Sequence, residues 1–315
     1  MEKKKINISS FTTVLVLLVL CVLLSILSPI FLTGTNLVNI LQKVTVNAIL
    51  ALGMSVVIFT GGIDLSVGSI LAIVGVVMAK LMLGAGVNPV LAILVGIVLG
   101  AACGAINGFL IAKCKLQPMI ATLGMMSIAR GAALTIANGQ TFSGFEKRFR
   151  WIGSGVLPGT IIPVQIVFML LLYLLVFYIL KYRKCGRYIY SIGGNEEATR
   201  LSGINIDRYK ILAYTICGIT AALASVVLVS KLNSAQAVAG EGYELDAIAS
   251  TVIGGASLLG GFGSVWGTVI GAVIMGVIRN GLNLLNVTSY LQQLIIGIII
   301  IIAVLMDSFK NNLNK

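Results

Sequence analysis

The sequence predicts an all-α polytopic membrane protein. It should have about ten transmembrane helices, some broken or half-length, with both termini cytoplasmic. Three observations carry this. Hydrophobic residues make up 58% of the 315 residues and charged residues only 10%, against about 25% charged in soluble domains. The apolar residues lie in long continuous runs, which read as helices rather than as the period-two alternation of an outer-membrane barrel. Most Lys and Arg sit in the short gaps between runs, as the positive-inside rule expects.

Ten apolar segments follow in order, at roughly 11–31, 40–60, 65–84, 88–112, 118–138, 160–181, 209–230, 245–258, 264–285 and 290–307. The first follows Lys3, Lys4 and Lys5 and is longer than a signal-peptide core, so it reads as a retained span. The second and third are parted by "GGIDLSVG" at 61–68. The fourth carries Gly96, Gly100, Gly104 and Gly108 on one helix face, a spacing that lets backbones approach closely; Gly263, Gly267 and Gly271 repeat it in the ninth. The fifth and sixth flank an external loop at 139–160, and the sixth and seventh flank the largest internal loop, 182–208. The eighth, 245–258, is too short to cross a bilayer and reads as a half-helix. "GGASLLGG" at 254–261 echoes "GGIDLSVG", a faint parallel repeat, and transporters often place their working site between such repeats.

With the N-terminus inside, 14 Lys and Arg face the cytoplasm and six face outward, while Arg130 and Arg279 stay at membrane depth. The one basic cluster against this trend is "EKRFR", Glu146 to Arg150. The net charge of +12 is therefore topological, and no nucleic-acid partner is expected. There is no histidine, the five cysteines form no CxxC, and no metal or cofactor site is expected. No GxxxxGK[ST] occurs, so the chain has no P-loop of its own.

Within 182–208, Asn195 is a good N-cap, Glu196 and Glu197 place negative charge on the positive helix end, and Gly203 suits a left-handed terminus. A two-turn helix exposed to the cytoplasm is expected, freed from the neighbouring spans by flanking glycines. Asp64 and Arg130 are expensive at membrane depth and should face protein or a wet cavity, with an Asp64–Arg130 pair geometrically feasible. Arg279, beside Asn280 and Asn283, reads as a snorkelling side chain. Asp64 reads first as a cap on the helix that follows it. Glu241, Tyr243, Glu244 and Asp246 cluster on the outer side, where they either stabilise a helix N-terminus or meet a docking protein.

Glu197-Ala198-Thr199, followed by three residues and Gly203, resembles the EAA–xxx–G loop of ABC importer permeases. The wider runs "GRYIYSIGGNEEATRLSGINIDRYK", "AGEGYELDAIASTVIGGASLLGGFGSVWGTVIGA", "GGIDLSVGS" and "ATLGMMSIARGAAL" resemble the ribose-type, monosaccharide-transporter permease family, over nearly the whole chain. Thr199 departs from the general loop, which has a second alanine. The resemblance implies a single permease domain over 1–315, not itself an enzyme, in the bacterial cytoplasmic membrane and in contact with its lipid. It implies a homodimer, a separate cytoplasmic ABC ATPase docking on Asn195, Glu196, Glu197, Ala198, Thr199, Arg200, Leu201 and Gly203, and an extracytoplasmic sugar-binding protein. It implies a monosaccharide cargo, ribose first. Gly61, Gly62, Asp64, Arg130, Gly254, Gly255 and Asn280 are the candidates for the gate. An ion-coupled secondary transporter using Asp64 is the alternative, with a membrane-embedded enzyme a distant third.

Overall fold

A computed structural model describes residues 8–313. The basic residues Lys3, Lys4, Lys5 and Lys315 lie outside the described residues, as does the side chain of Lys310. The helices are α1 (Ile8–Leu27), α2 (Gly34–Phe59), α3 (Val67–Ala79, extended by a wide turn over Lys80–Gly84), α4 (Pro89–Ala112), α5 (Pro118–Ala137), α6 (Lys147–Ser154) and α7 (Val164–Tyr182). They continue as α8 (Lys184–Gly194), α9 (Glu196–Leu201), α10 (Ile206–Leu232), α11 (Tyr243–Ile253), α12 (Val265–Leu284) and α13 (Ser289–Leu313). A two-residue pairing of β1 (Phe142–Ser143) with β2 (Ser234–Ala235) is the only sheet among the described residues. Eight helices are long and apolar enough to cross a membrane, and α1 and the short α11 complete the ten apolar segments.

The bundle is built around α2, which is buried almost without interruption from Val44 to Phe59 and is packed by α7, α10, α11 and α12. Helices α4, α5 and α13 expose apolar side chains such as Val98, Ile128 and Ile301, the surface expected toward hydrocarbon. The glycine stripe of α4 is a packing device. A side chain at Gly100, Gly104 or Gly108 would enter the backbone of α10 at Gly218, Tyr214 or Ile211, and one at Gly96 would enter Met78 and Val74 of α3. Gly267 and Gly271 serve α11 in the same way, against Gly254 and Ser250.

Helix α11 is the half-helix. Its 11 residues span about 16 Å at 1.5 Å per residue, half of a ~30 Å hydrocarbon core. It starts well inside the bundle, because Asp246 near its N-terminus meets Arg279, 14 residues along α12 from Val265. The segment between β2 and α11 dips inward to reach that level, placing Gly240 against Gly68 of α3. Thr13 near the start of α1 bonds the Ile253 carbonyl at the far end of α11. The start of α1, the end of α11 and the α8–α9 segment thus share one end of the bundle. Helix α6, with Arg148 and Arg150 exposed and Phe149 buried, lies at the opposite end against the close of α10, so the "EKRFR" cluster does sit across from the 182–208 loop.

Candidate functional site: a capped surface helix joined to two helix breaks

Helix α9 forms as its residues dictate. The Asn195 side chain accepts from Ala198 N at 2.9 Å, and Glu196 and Glu197 occupy the first turn. At the other end Gly203 takes φ +78°, Gly203 N bonds Arg200 O and Ile204 N bonds Thr199 O, a Schellman terminus that needs a residue without Cβ strain. Glu196 is held by Lys210 at 2.7 Å and Arg200 at 3.2 Å. Glu197, Ala198, Arg200 and Leu201 face outward, and Leu201 is 84% exposed, a large apolar side chain standing clear of its own fold. Thr199 is buried: its hydroxyl meets Ser191 Oγ at 3.0 Å and donates to Asn195 O. The departure from alanine therefore points into the protein and leaves the outer face of α9 unchanged.

The sequence reading expected flanking glycines to free this helix. Gly193 does the reverse. Residues 184–194 form a further amphipathic helix, α8, with Gly186, Ile189 and Ile192 buried. At its end Gly193 lies so close to the Phe59 carbonyl and to Gly260–Gly261 that any side chain would overlap them. Gly261 N bonds Phe59 O at 3.1 Å, Tyr190 stacks on Phe59 with centroids 4.8 Å apart, and Tyr190 Oη donates to Gly263 O at 3.2 Å. Helix α8 is hard to read from the sequence because a 3.6-residue apolar pattern of only a few members is weak in a basic loop; the Ile189–Ile192 spacing is its signal.

The two glycine motifs meet at this point. Helix α2 ends with Gly61 N to Ile58 O and Gly62 N to Val57 O, with Gly61 at φ +79°. Helix α11 ends with Gly255 N to Val252 O and Ala256 N to Thr251 O, with Gly255 at φ +90°. Both are Schellman turns. The true correspondence is Gly61 with Gly255, one residue away from the sequence match of Gly61 with Gly254, which instead is the α11 C-cap.

The other gate candidates do not gather there. Asp64 is fully buried just beyond the first break. Its Oδ1 accepts from Ser66 N at 2.9 Å and from Ser66 Oγ, and Asn107 Nδ2 lies 3.5 Å away and donates to Ser66 Oγ at 2.9 Å. This is an Asx turn leading into α3, whose first residue is Val67 with Ser66 at the N-cap position, rather than Asp64 capping a helix that starts near Leu65 or Ser66. Arg130 does not pair with Asp64; its Nη1 donates to the carbonyls of Ala237 and Ala239, holding the inward-dipping segment before α11. Arg279, its side chain 41% exposed, binds both oxygens of Asp246, at 2.8 and 2.7 Å. Asp246 is thereby turned inward and buried, at odds with a docking role, whereas Glu241 is exposed and Tyr243 and Glu244 half-buried. Asn280 forms a reciprocal amide pair with Asn36 at 3.1 and 2.8 Å, joining α12 to the start of α2, far from either break.

A family model described as "branched-chain amino acid transport system / permease component" matches residues 36–304. The chain is 49% identical to the ribose import permease protein of Escherichia coli K12 over 95% of its own length and 93% of the relative's. It is 46% identical to the ribose import permease protein of Bacillus subtilis 168, over 94% and 91%. It is 40% identical to the D-allose transport system permease protein of Escherichia coli K12, over 97% and 95%. No solved structure matches the chain. A match over most of the chain, joined to a bundle with eight helices fit to cross a membrane, shows that the chain belongs to this family of transport-system permeases, a multi-pass membrane protein alongside the ribose and allose permeases.

Proposed function

We propose that this chain is the membrane-spanning subunit of an ATP-driven importer that carries a monosaccharide, ribose first, across the bacterial cytoplasmic membrane. The observation that carries the reading is α9: a capped, charge-braced helix whose exposed Leu201 is flanked by Glu197 and Arg200, with α8 tying it to both helix breaks. An exposed apolar knob ringed by charge suits a protein partner. The resemblance of 197–203 to the ATPase-docking loop supports a separate ATPase as that partner, and the ribose and allose names of the relatives support a monosaccharide as the cargo. The chain supplies no nucleotide chemistry, works as a homodimer in the lipid bilayer, and forms one permease domain with 182–208 as its cytoplasmic coupling loop. That loop is counted among the cytoplasmic segments, so both termini share its side.

On the far side, exposed Glu241 faces the sugar-loaded binding protein, while half-buried Tyr243 and Glu244 sit at the foot of the inward dip. A cavity of about 200 Å³ opens there between α3, α10 and the segment leading into α11. Its walls are mostly apolar, with Ser234 and Gln236 among the few polar side chains. So sparse a set of partners for sugar hydroxyls fits selectivity residing chiefly in the binding protein.

Uptake of ribose into proteoliposomes tests the reading. It should require the ATPase, ATP and the binding protein together. Accumulation by this chain alone under a proton or sodium gradient would overturn it in favour of secondary transport. Glu197→Lys should abolish co-purification of the ATPase while the permease still inserts; Gly203→Pro should do the same, since proline fixes φ near −65° where the helix terminus needs +78°.

A further inference from the structure

Helices α8 and α9 are joined by hydrogen bonds through side chain and backbone. Ser191 on α8 meets Thr199 on α9 at 3.0 Å, and Asn195 between them bonds into both. The joined pair reaches the membrane breaks through a small junction. The Phe59 ring, fully buried, lies between the Tyr190 ring and Gly263, where any Cβ would overlap it. Tyr190 Oη donates to Gly263 O, Gly261 N donates to Phe59 O, and Gly193 packs backbone-to-backbone on Phe59 and Gly261. One residue from α8 thus touches the end of α2 by its ring and the loop before α12 by its hydroxyl.

We propose that Tyr190 is the positioning residue through which movement of α9 is passed to both helix breaks at once, with Phe59 as its receiver. This rests on the ATPase-docking reading of α9 and adds to it the route inward. Glycine-to-backbone contact at Gly193 leaves no compressible side chain between α8 and the breaks, so a displacement of α9 is transmitted rather than absorbed. Tyr190 is not needed to hold the ATPase, because it lies beneath α8 and not on the exposed face of α9.

The test uses the full complex of permease, ATPase and binding protein in proteoliposomes, with ribose as cargo. Three quantities are read: ATPase co-purification, ATP hydrolysis, and ribose imported per ATP hydrolysed. Tyr190→Ala should co-purify the ATPase as the parent does and retain basal hydrolysis. It should lose about fivefold or more in ribose per ATP, the lower end of typical coupling between sites. Tyr190→Phe keeps the stack and loses the bond to Gly263, and should fall between the two. Phe59→Leu removes the same stack from the other side and should reproduce the uncoupling, which guards against Tyr190→Ala simply failing to fold. Unchanged ribose per ATP in both Tyr190→Ala and Phe59→Leu would overturn the proposal and reduce the junction to packing. Loss of ATPase co-purification in Tyr190→Ala would also overturn it, by placing the residue in assembly. Failure of the parent complex to bind its ATPase would instead refute the docking reading itself.

Discussion

Three ionisable residues at membrane depth show how this chain keeps charge inside an apolar bundle. Asp64 is held through Oδ1 alone, by Ser66 and Asn107, while its Oδ2 is buried without a hydrogen-bond partner; Arg130 is held by two carbonyls, and Arg279 by one carboxylate with its Nε unpartnered. The chemistry predicts distinct responses. Asp64→Asn keeps an acceptor for Ser66 N and should retain transport and stability. Asp64→Leu leaves that buried N–H unpaired and should cost about 1–3 kcal/mol, measured as a lowered unfolding midpoint of the purified protein. Arg279→Leu strands a carboxylate whose side chain is only 5% exposed. It should cost about 3 kcal/mol, and Asp246→Leu placed beside it should recover most of the loss in a double-mutant cycle. All three charges were visible in the sequence. Their partners were not, because Asn107, Ala237, Ala239 and Asp246 lie 33 to 109 positions away and no local pattern announces them.

At the scale of elements, the sequence was most informative where physics acts locally. Asn195, Glu196, Glu197 and Gly203 name the start and stop of α9 because capping uses residues within one turn. The shortness of 245–258 announced a half-helix, and the glycine spacing announced close helix packing. The one-residue offset between the two breaks was illegible, since a Schellman turn is set by which glycine takes positive φ, and each motif offers two adjacent glycines. The inward dip before α11 was equally hidden, because it depends on Arg130 reaching across from α5. Arg130→Gln should therefore release that segment. Amide hydrogen exchange over residues 236–242 should accelerate while exchange in α4 and α10 stays as in the parent. Uniform acceleration across the bundle would show that Arg130 supports the whole fold instead.

For the whole molecule, the proposed orientation rests on where the charges and α9 stand together. Lys113 and Lys115 pair with Asp207 at 3.0 and 3.1 Å at the start of α10, and Arg200 and Lys210 brace Glu196 nearby. This basic surface surrounds α9 at one end, while "EKRFR" and the 155–164 turn occupy the other. An ATPase has access to ATP only from the cytoplasm, so the α9 end must face inward if α9 is its seat. That leaves Arg148 and Arg150 outside despite the positive-inside trend, which is a bias over the sum of loops and tolerates a minority cluster. In a background with the native cysteines replaced by serine, Thr160→Cys should react with a membrane-impermeant maleimide on intact cells. Ser202→Cys, exposed beside α9, should react only after permeabilisation. The reverse pattern would invert the chain, and an inverted chain could not carry an ATPase on α9 at all.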